Sequence, residues 1–505
     1  MGSSPISPTT LDNNNMSKKN FYITTAIPYV NGNPHLGHAI LHLYADTLAR
    51  YHRHIGDNVL FSSGTDEHGA KIAEAAEKAG KDPKAFTDEI SAVFRAGLGT
   101  LGITNDRFIR TTDPAHEQRC QIIWKHLEKD IYKKAYKAFY CVGCEEFKTD
   151  TVVKETKGVC PLHNRPYDTL EEENYFFKLS AYNDKIKQAI ASDAFTITPK
   201  SRKHEIMSVL NEGLQDISVS RPTEKISWGI PVPGDPTQTM YVWFEALLNY
   251  ITVLGYPEHA DFKTFWPANV QVIGKDILRF HAAIWPGILL ALGVPLPKTL
   301  YVHGFVTSDG QKMSKTLGNV VDPLEVVKDY GLDAFRYFFL RYGPCIDDSD
   351  FTWERFETAY NNELANELGN ALSRIVAMVN KYQEGIVGDV PAAGHDIGEY
   401  NQAIADCRFD NALSEVWEQV RGLNQYIDEQ KPWMIAKEND EDHLREVLAY
   451  AVACLLEIAD MLLPFLPGAA AKIIDMLHEG IIKDAAVTES LFPKIYKYTE
   501  APKRK

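Results

Sequence analysis

The chain has 505 residues, 45% of them hydrophobic and 24% charged, with a formal net charge of -15 at pH 7. That composition excludes a disordered or membrane-embedded chain, and the length predicts two to four domains. No global basic field draws in nucleic acid, so any RNA contact must rest on a local face of an acidic molecule.

Residues 1 to 15, "MGSSPISPTTLDNNN", lack the basic start and apolar stretch of a signal peptide. Gly2 fails as a myristoylation site because Ile6 stands where Ser or Thr is needed. We read 1–19 as an appended leader without fixed structure, Met16 being the natural start. With no export signal, a cytoplasmic protein is expected, its seven cysteines reduced thiols or metal ligands.

Next, "FYITTAI" predicts a strand, "LGHAILHLYADTLARYHRHIG" a helix ending at Gly56, and "NVLFSSGTDEHG" a second strand running into a polar loop. Strand, helix and strand in that order make a parallel unit whose ligands lie at the carboxyl ends of the strands. "PHLGH" and "TDEHG" both fall at such ends. In the first, His35 and His38 flank Gly37 as the strand turns into the helix. At this point the pair is open to three readings: a phosphate site, a metal site, or two histidines capping a turn.

Between 140 and 165 the chain becomes Cys-rich. "CVGC" and "CPLH" offer Cys141, Cys144, Cys160 and His163, paired knuckles suited to one tetrahedral zinc. The alternative is reduced core thiols with an unrelated histidine. Cys120, Cys345, Cys407 and Cys454 have no such spacing and read as buried thiols. Strand-then-helix patterning returns at "MYVWFEALLNYI" and "NVQVIGKDILRFHAAIW", so the αβ domain is interrupted and resumed. The run "HAAIWPGILLALGVPLP" is shorter than the roughly 20 residues a membrane span needs and reads as buried helix and turn. In "DGQKMSKTLGN", Lys312 and Lys315 stand three apart in a glycine-bounded loop. Lysines there can close over a polyphosphate and neutralise charge developing in phosphoryl or nucleotidyl transfer; alone, the loop would read as solvated surface. After about residue 355 amphipathic helices run to the end.

The expected fold is therefore α/β, a Rossmann-type parallel-sheet catalytic domain split by a zinc-knuckle insertion and followed by an all-α helical bundle. The expected boundaries are 20–128 and 240–300 for the two catalytic halves and 129–239 for the insertion. A lysine-loop region is placed at 301–360, and the helical domain at 361–505.

"PHLGH" and "KMSKT" together resemble the HIGH and KMSKS signatures of class I aminoacyl-tRNA synthetases, with Leu36 and Thr316 as mild replacements. With "TTAIPYVNGNPHLGHA", "SSGTDEHG", "YVWFEALLNY", "VIGKDILRFHAAIWP" and "DEQKPWMIAK", the resemblance narrows to the methionyl-tRNA synthetases and covers nearly the whole chain from Phe21. It implies ATP contacts at His35, Gly37, His38, Gly274, Asp276, Lys312 and Lys315, with the two histidines and two lysines catalytic. It implies that Asp66 holds the amino group of the amino acid. Ile27, Tyr29, Val242, Trp243, Ala246, Leu247, Tyr250, Ile277 and His281 would form the methionine pocket, with Trp243 and Trp285 repacking around ligand. Apolar walls suit an unbranched thioether, a weak acceptor that the Tyr250 hydroxyl and the Ile27 N–H could address. Asn370, Arg374 and Trp433 match anticodon-reading residues, the first two one helical turn apart. The family often has four cysteines or a second knuckle in the insertion, so a single site with His163 is a departure.

The implied activity is ATP-dependent, AMP-forming ligation of L-methionine to tRNA(Met), initiator tRNA included, with Mg²⁺ accompanying ATP and one structural Zn²⁺. No membrane partner is expected. The ending "APKRK", without an appended tRNA-binding domain, favours a monomer. A class I synthetase for another aliphatic amino acid is the nearest rival, opposed by "YVWFEALLNY" and the lack of a large editing insert. A tRNA-independent nucleotidyltransferase would lack the helical tail, and a catalytically dead RNA-binding paralogue would not need the intact histidines and lysines.

Overall fold

The computed structural model describes residues 18–144, 146–148, 150–308, 310–313, 320–477, 482 and 490–499. The expectations for residues 1–17 lie outside them.

Six strands form the central sheet: β1 (Asn20–Thr25), β2 (Asn58–Thr65), β3 (Arg107–Arg110), β4 (Thr196–Thr198), β5 (Val270–Gly274) and β6 (Thr299–His303). Their spatial order is β3-β2-β1-β5-β6-β4, and every neighbouring pair is parallel. The inner strands β1, β2, β5 and β6 are buried over most of their length, as expected of a sheet covered on both faces, although β2 carries the polar residues Ser62, Ser63 and Thr65 in its second half. Strand order reverses between β1 and β5, so the crevice beyond their carboxyl ends is the topological switch point where such sheets bind ligands. The helix α1 (Leu36–His54) follows β1 and is buried all round from Ala39 through Ala49.

Between β3 and β5 the chain leaves the sheet. The long antiparallel pair Ile131–Cys141 and Asp168–Phe177 carries a small knuckle with its own core of Cys141, Cys160 and Tyr167. The edge strand β4 comes from inside the stretch 129–239, pairing with β6 through three residues.

Helices dominate after Trp353. The seam to the sheet runs along α1: Tyr44 stacks on Phe409, the Tyr51 hydroxyl donates to Asn401 at 2.9 Å, and Arg336 ion-pairs with Asp46 at 2.7 Å. The run "HAAIWPGILLALG" is a π turn (Phe280–Ile284) and a buried helix (Trp285–Leu292) ended by Gly293 in the left-handed region. Among the described residues, no helix is long and apolar enough to cross a membrane.

Candidate active site

His35 is the N-cap of α1, in extended backbone, and His38 lies one turn in. Their rings stack, with centroids 3.6 Å apart and planes 20° apart, and the His35 N–H donates to His38 Nδ1 at 3.3 Å. Gly37 makes room for this: a Cβ there would sit 3.1 Å from His35 Cε1. Burial, together with the neighbouring His35 and His42, holds His38 well below the usual imidazole range. The ring is therefore neutral near pH 7, and with Nδ1 accepting, Nε2 carries its N–H. Behind it His42, pushed down to about 4 by burial, contacts Ser63 Oγ at 2.8 Å and the His38 carbonyl at 2.6 Å. This support was not singled out from the sequence, although the i+4 spacing of His38 and His42 was its signal. A cavity of about 140 Å³ beside the rings is lined by Phe94, Leu98 and, past the lysine loop, Pro323 and Leu324. This corner is also the amino end of a helix, whose dipole favours an anion.

Across the switch point, β5 ends at Gly274, where a Cβ would come within 2.8 Å of Asp276 Oδ1. Asp276 is exposed, beside the adjacent Lys275–Asp348 ion pair at 2.7 Å.

The second strand delivers Asp66. A lone parallel bridge pairs Asp66 with Tyr29 beyond the ends of β1 and β2, and the Asp66 N–H donates to the Pro28 carbonyl at 2.9 Å. Asp66 is thereby buried beside Tyr29, whose ring meets Trp243 edge-on at 5.9 Å. Trp243 stacks on Phe280 at 3.9 Å, an aromatic not anticipated from sequence. Deeper, the Tyr250 hydroxyl lies 2.7 Å from His281 Nε2, and His281 Nδ1 lies 3.0 Å from the Ile277 carbonyl. A carbonyl only accepts, so Nδ1 carries the proton and Nε2 accepts from the tyrosine. Burial pushes His281 down to about 4, so this buried pair is uncharged. Trp285, fully buried, meets Tyr250 at 5.7 Å and donates to Gln271 at 3.1 Å. Val242, Ala246 and Leu247 are buried on the adjoining helix Val242–Leu247, while Ile27 and Ile277 are half-buried. These side chains form a packed apolar cluster, with one neutral polar pair inside it and the buried Asp66 carboxylate beside Tyr29.

Lys312 belongs to the strand Gln311–Lys312, which pairs with Val306–Ser308. The turn is tied down by Asp350, which accepts from Gly310 N at 2.8 Å and from Thr307 Oγ1 at 2.7 Å. Lys315 and Thr316 lie outside the described residues.

In the knuckle, Cys141, Cys144, Cys160 and His163 bring one donor each within 4.8 Å of one another. Cys144 Sγ is 3.6 Å from Cys160 Sγ and 3.4 Å from His163 Nδ1, spacing close to the edge of a tetrahedron with metal–ligand bonds of about 2.0–2.3 Å. Gly143 lets His163 in: a Cβ there would lie 2.4 Å from the imidazole Cγ. The donor set and the glycine cradle fit zinc.

In the helical region, Asn370 opens the helix Asn370–Gln383 and is exposed; Arg374, one turn on, pairs with Asp428 at 2.5 Å. Trp433 is half-buried in the short helix Pro432–Glu438, which packs against Asn370–Gln383. The three residues therefore lie on neighbouring helices.

Compared with known proteins, the chain matches the family of class I tRNA synthetases (M) over residues 21–169 and 162–376. A methionine–tRNA ligase of Caldanaerobacter subterraneus is 43% identical over 94% of this chain and 76% of the relative. One of Mesorhizobium japonicum is 41% identical over 92% of each. Among solved structures, Mycobacterium tuberculosis methionyl-tRNA synthetase in complex with methionyl-adenylate superposes with a TM-score of 0.86. It is 36% identical, over 94% of this chain and 97% of that one.

Proposed function

The chain belongs to the class I tRNA synthetases (M), and from that premise we propose that it activates L-methionine with ATP and transfers the methionyl group to tRNA. The observation that carries the reading is the joining of two half-sites across the β1/β5 switch point. One is an anion-favouring corner at the start of α1; the other is an apolar cluster around Tyr250 and Trp243 with the buried Asp66 beside it.

Methionine enters with its side chain among Val242, Ala246, Leu247, Tyr250 and Ile277 and its ammonium on Asp66. The uncharged Tyr250–His281 pair offers a polar contact without burying a charge against a thioether, a weak acceptor. The amino-acid carboxylate then attacks the α-phosphorus of ATP, forming the acyl–phosphate bond of methionyl-adenylate and releasing pyrophosphate. A terminal ribose hydroxyl of tRNA takes the acyl group in the second step, releasing AMP. No side chain forms a covalent bond; positioning and charge stabilisation carry both steps. His35 and His38 donate to phosphate oxygens, and His38, held neutral, does so without a standing charge. Gly274 and Asp276 hold the nucleoside side, and Lys312 and Lys315 close over the phosphates. Mg²⁺ accompanies ATP and supplies charge neutralisation. Zinc on Cys141, Cys144, Cys160 and His163 organises the knuckle and takes no part in the chemistry. Asn370, Arg374 and Trp433 read the anticodon, and the cytoplasmic monomer takes initiator as well as elongator tRNA(Met).

The test is pyrophosphate exchange set beside tRNA charging. Exchange should depend on methionine and not on isoleucine, leucine or valine. Trp433→Ala should leave exchange near normal while lowering charging efficiency roughly ten- to a hundredfold, as expected for loss of one base-stacking platform. Exchange driven equally by another amino acid would overturn the substrate, and equal loss of both activities would overturn the anticodon role.

A further inference from the structure

Glu245 lies on the helix Val242–Leu247 and is fully buried. Its two carboxylate oxygens face separate imidazoles: Oε1 accepts from His68 Nδ1 and Oε2 from His116 Nε2, each at 3.0 Å. These partners are 177 and 129 residues away. A fully buried carboxylate is costly to desolvate, and here the two imidazoles that pair it tie three separate segments together.

We propose that Glu245 is a positioning residue for methionine, which through His68 holds the loop carrying Asp66 against the helix that walls the pocket. The inference rests on the methionine reading given above. His68 is two residues past Asp66, and its loop is fixed on the other side by Trp228. The Trp228 indole N–H donates to the Glu67 carbonyl at 2.6 Å, its carbonyl accepts from Gly69 N at 3.1 Å, and its ring meets His68 edge-on at 5.5 Å. The methionine ammonium on Asp66 and the side chain against Val242 and Leu247 thus rest on two segments joined by one buried ion pair.

The charges around His68 agree. His68 Nε2 lies 3.7 Å from Glu117 Oε1, an ion-pair distance, so both ring nitrogens face carboxylates. Asp66 is a third negative neighbour, while Glu67 is turned away into a two-pronged pair with Arg110 at 2.7 Å. Burial works against a charge on His68, but Glu245, Glu117 and Asp66 outweigh it and raise the group to about 10. On the far side of Glu245, His116 is held by Thr252 Oγ1 at 2.7 Å and Cys120 Sγ at 3.3 Å. Burial keeps the Cys120 thiol protonated. His116, Cys120 and Glu245 are also close enough to gather a cation. Both Glu245 oxygens, however, already accept from an imidazole N–H, so a proton network accounts for the cluster.

The experiment measures methionine KM and kcat in pyrophosphate exchange from pH 6 to 8.5, with melting temperatures, for wild type, Glu245→Gln and Glu117→Gln. Glu117 is on the surface side, so its variant keeps the test open if the buried substitution fails to fold. In wild type, the methionine KM should be flat over this range. Glu245→Gln should raise it about tenfold with kcat within about threefold, the signature of lost binding rather than lost chemistry. Its KM should also climb with pH, because His68, deprived of its main counter-charge, now loses its proton in the range. Glu117→Gln should show the same pattern at smaller amplitude. A KM within twofold of wild type and flat in pH for the folded variants would overturn the proposal, as would loss of kcat at unchanged KM. If wild type itself shows no methionine-dependent exchange, the functional reading fails instead.

Discussion

One added methyl group tests the histidine turn. Ala in place of Gly37 would set its Cβ 3.1 Å from His35 Cε1 and 3.2 Å from Nδ1, so the imidazole must move out of its stack on His38. Alanine is the better helix former by about 1 kcal/mol in a helix interior, so stability should hold or rise slightly. Adenylation should nevertheless slow by about two powers of ten, the scale of one lost preorganised donor. Pyrophosphate exchange beside a thermal melt separates the two effects; full activity in the variant would show that the stack is incidental. The two histidines were legible in the sequence because they sit within four residues of a glycine at the end of a strand. The protonation of His38 was not, since it depends on burial and on the neighbouring His35 and His42. The same holds for Glu245 and His68, whose relation exists only once β2 and the pocket helix are brought together.

At the scale of elements, the parallel unit at the amino end was legible and the knuckle partly so. The predicted first helix, ending at Gly56, is found as α1 ending at His54, with Gly56 at a positive φ. The edge strand β4 was missed because its three residues carry too little alternation to stand out inside an insertion. Within the amphipathic helices expected after about residue 355, the structure winds Tyr360–Gly369 as a π-helix before the α-helix Asn370–Gln383. Asn361 in that stretch exchanges two hydrogen bonds with Ile495, at 2.7 and 3.0 Å, a long-range anchor invisible to local periodicity. The knuckle leads to an expectation of its own. Among the described residues its core is Cys141, Cys160 and Tyr167 with a few half-buried neighbours, little apolar surface to hold a fold unaided. Protein purified without chelator should contain about one zinc per chain. Its removal should open proteolytic sites within 141–167 while the main melting transition persists. An ordered, protease-resistant knuckle in metal-free protein would refute a structural zinc.

For the whole molecule, the buried histidines set the pH range of stability. His42, His281 and His303 are each pushed down to about 4, by burial first. Unfolding lets each take up a proton near its ordinary value of about 6.5. The unfolded state therefore binds more protons between about pH 6.5 and 4, and stability falls as pH drops through that window. His68 has the opposite sign. Raised to about 10, its contribution is complete below about 6.5 and is lost as pH rises toward 10. Melting temperature should therefore peak near neutrality, and His68→Gln should flatten the alkaline limb and leave the acid limb in place. An unchanged alkaline limb would mean that His68 is not charged in the fold.

The sheet and the helical region are joined through α1, and one buried arginine carries the joint. Arg336 donates to Asp46 Oδ2 at 2.7 Å, to the Phe465 carbonyl at 2.6 Å and to the Pro464 carbonyl at 2.8 Å. Asp46 is on the helix that begins at the histidine turn, and also accepts from Arg50 at 2.7 Å and from Thr104 N at 2.8 Å. Burial opposes its charge, but Arg336 and Arg50 hold it below the usual carboxylate range. Such a pair adds little net stability over an apolar substitute, yet removing Arg336 leaves the buried Asp46 with Arg50 as its one remaining counter-charge and two carbonyls without their donor. Arg336→Ala should therefore cost about 3–5 kcal/mol and lower the melting temperature by roughly 10 °C. Arg336→Lys keeps the charge but not the fork that reaches three acceptors, and should fall between. At a temperature where both variants stay folded, methionine-dependent exchange should persist, because α1 still packs on the sheet. Charging of tRNA should fall further, because anticodon and active site must be held in register across this seam. A variant that melts with wild type, or loses both activities in equal measure, would show that the joint serves packing alone.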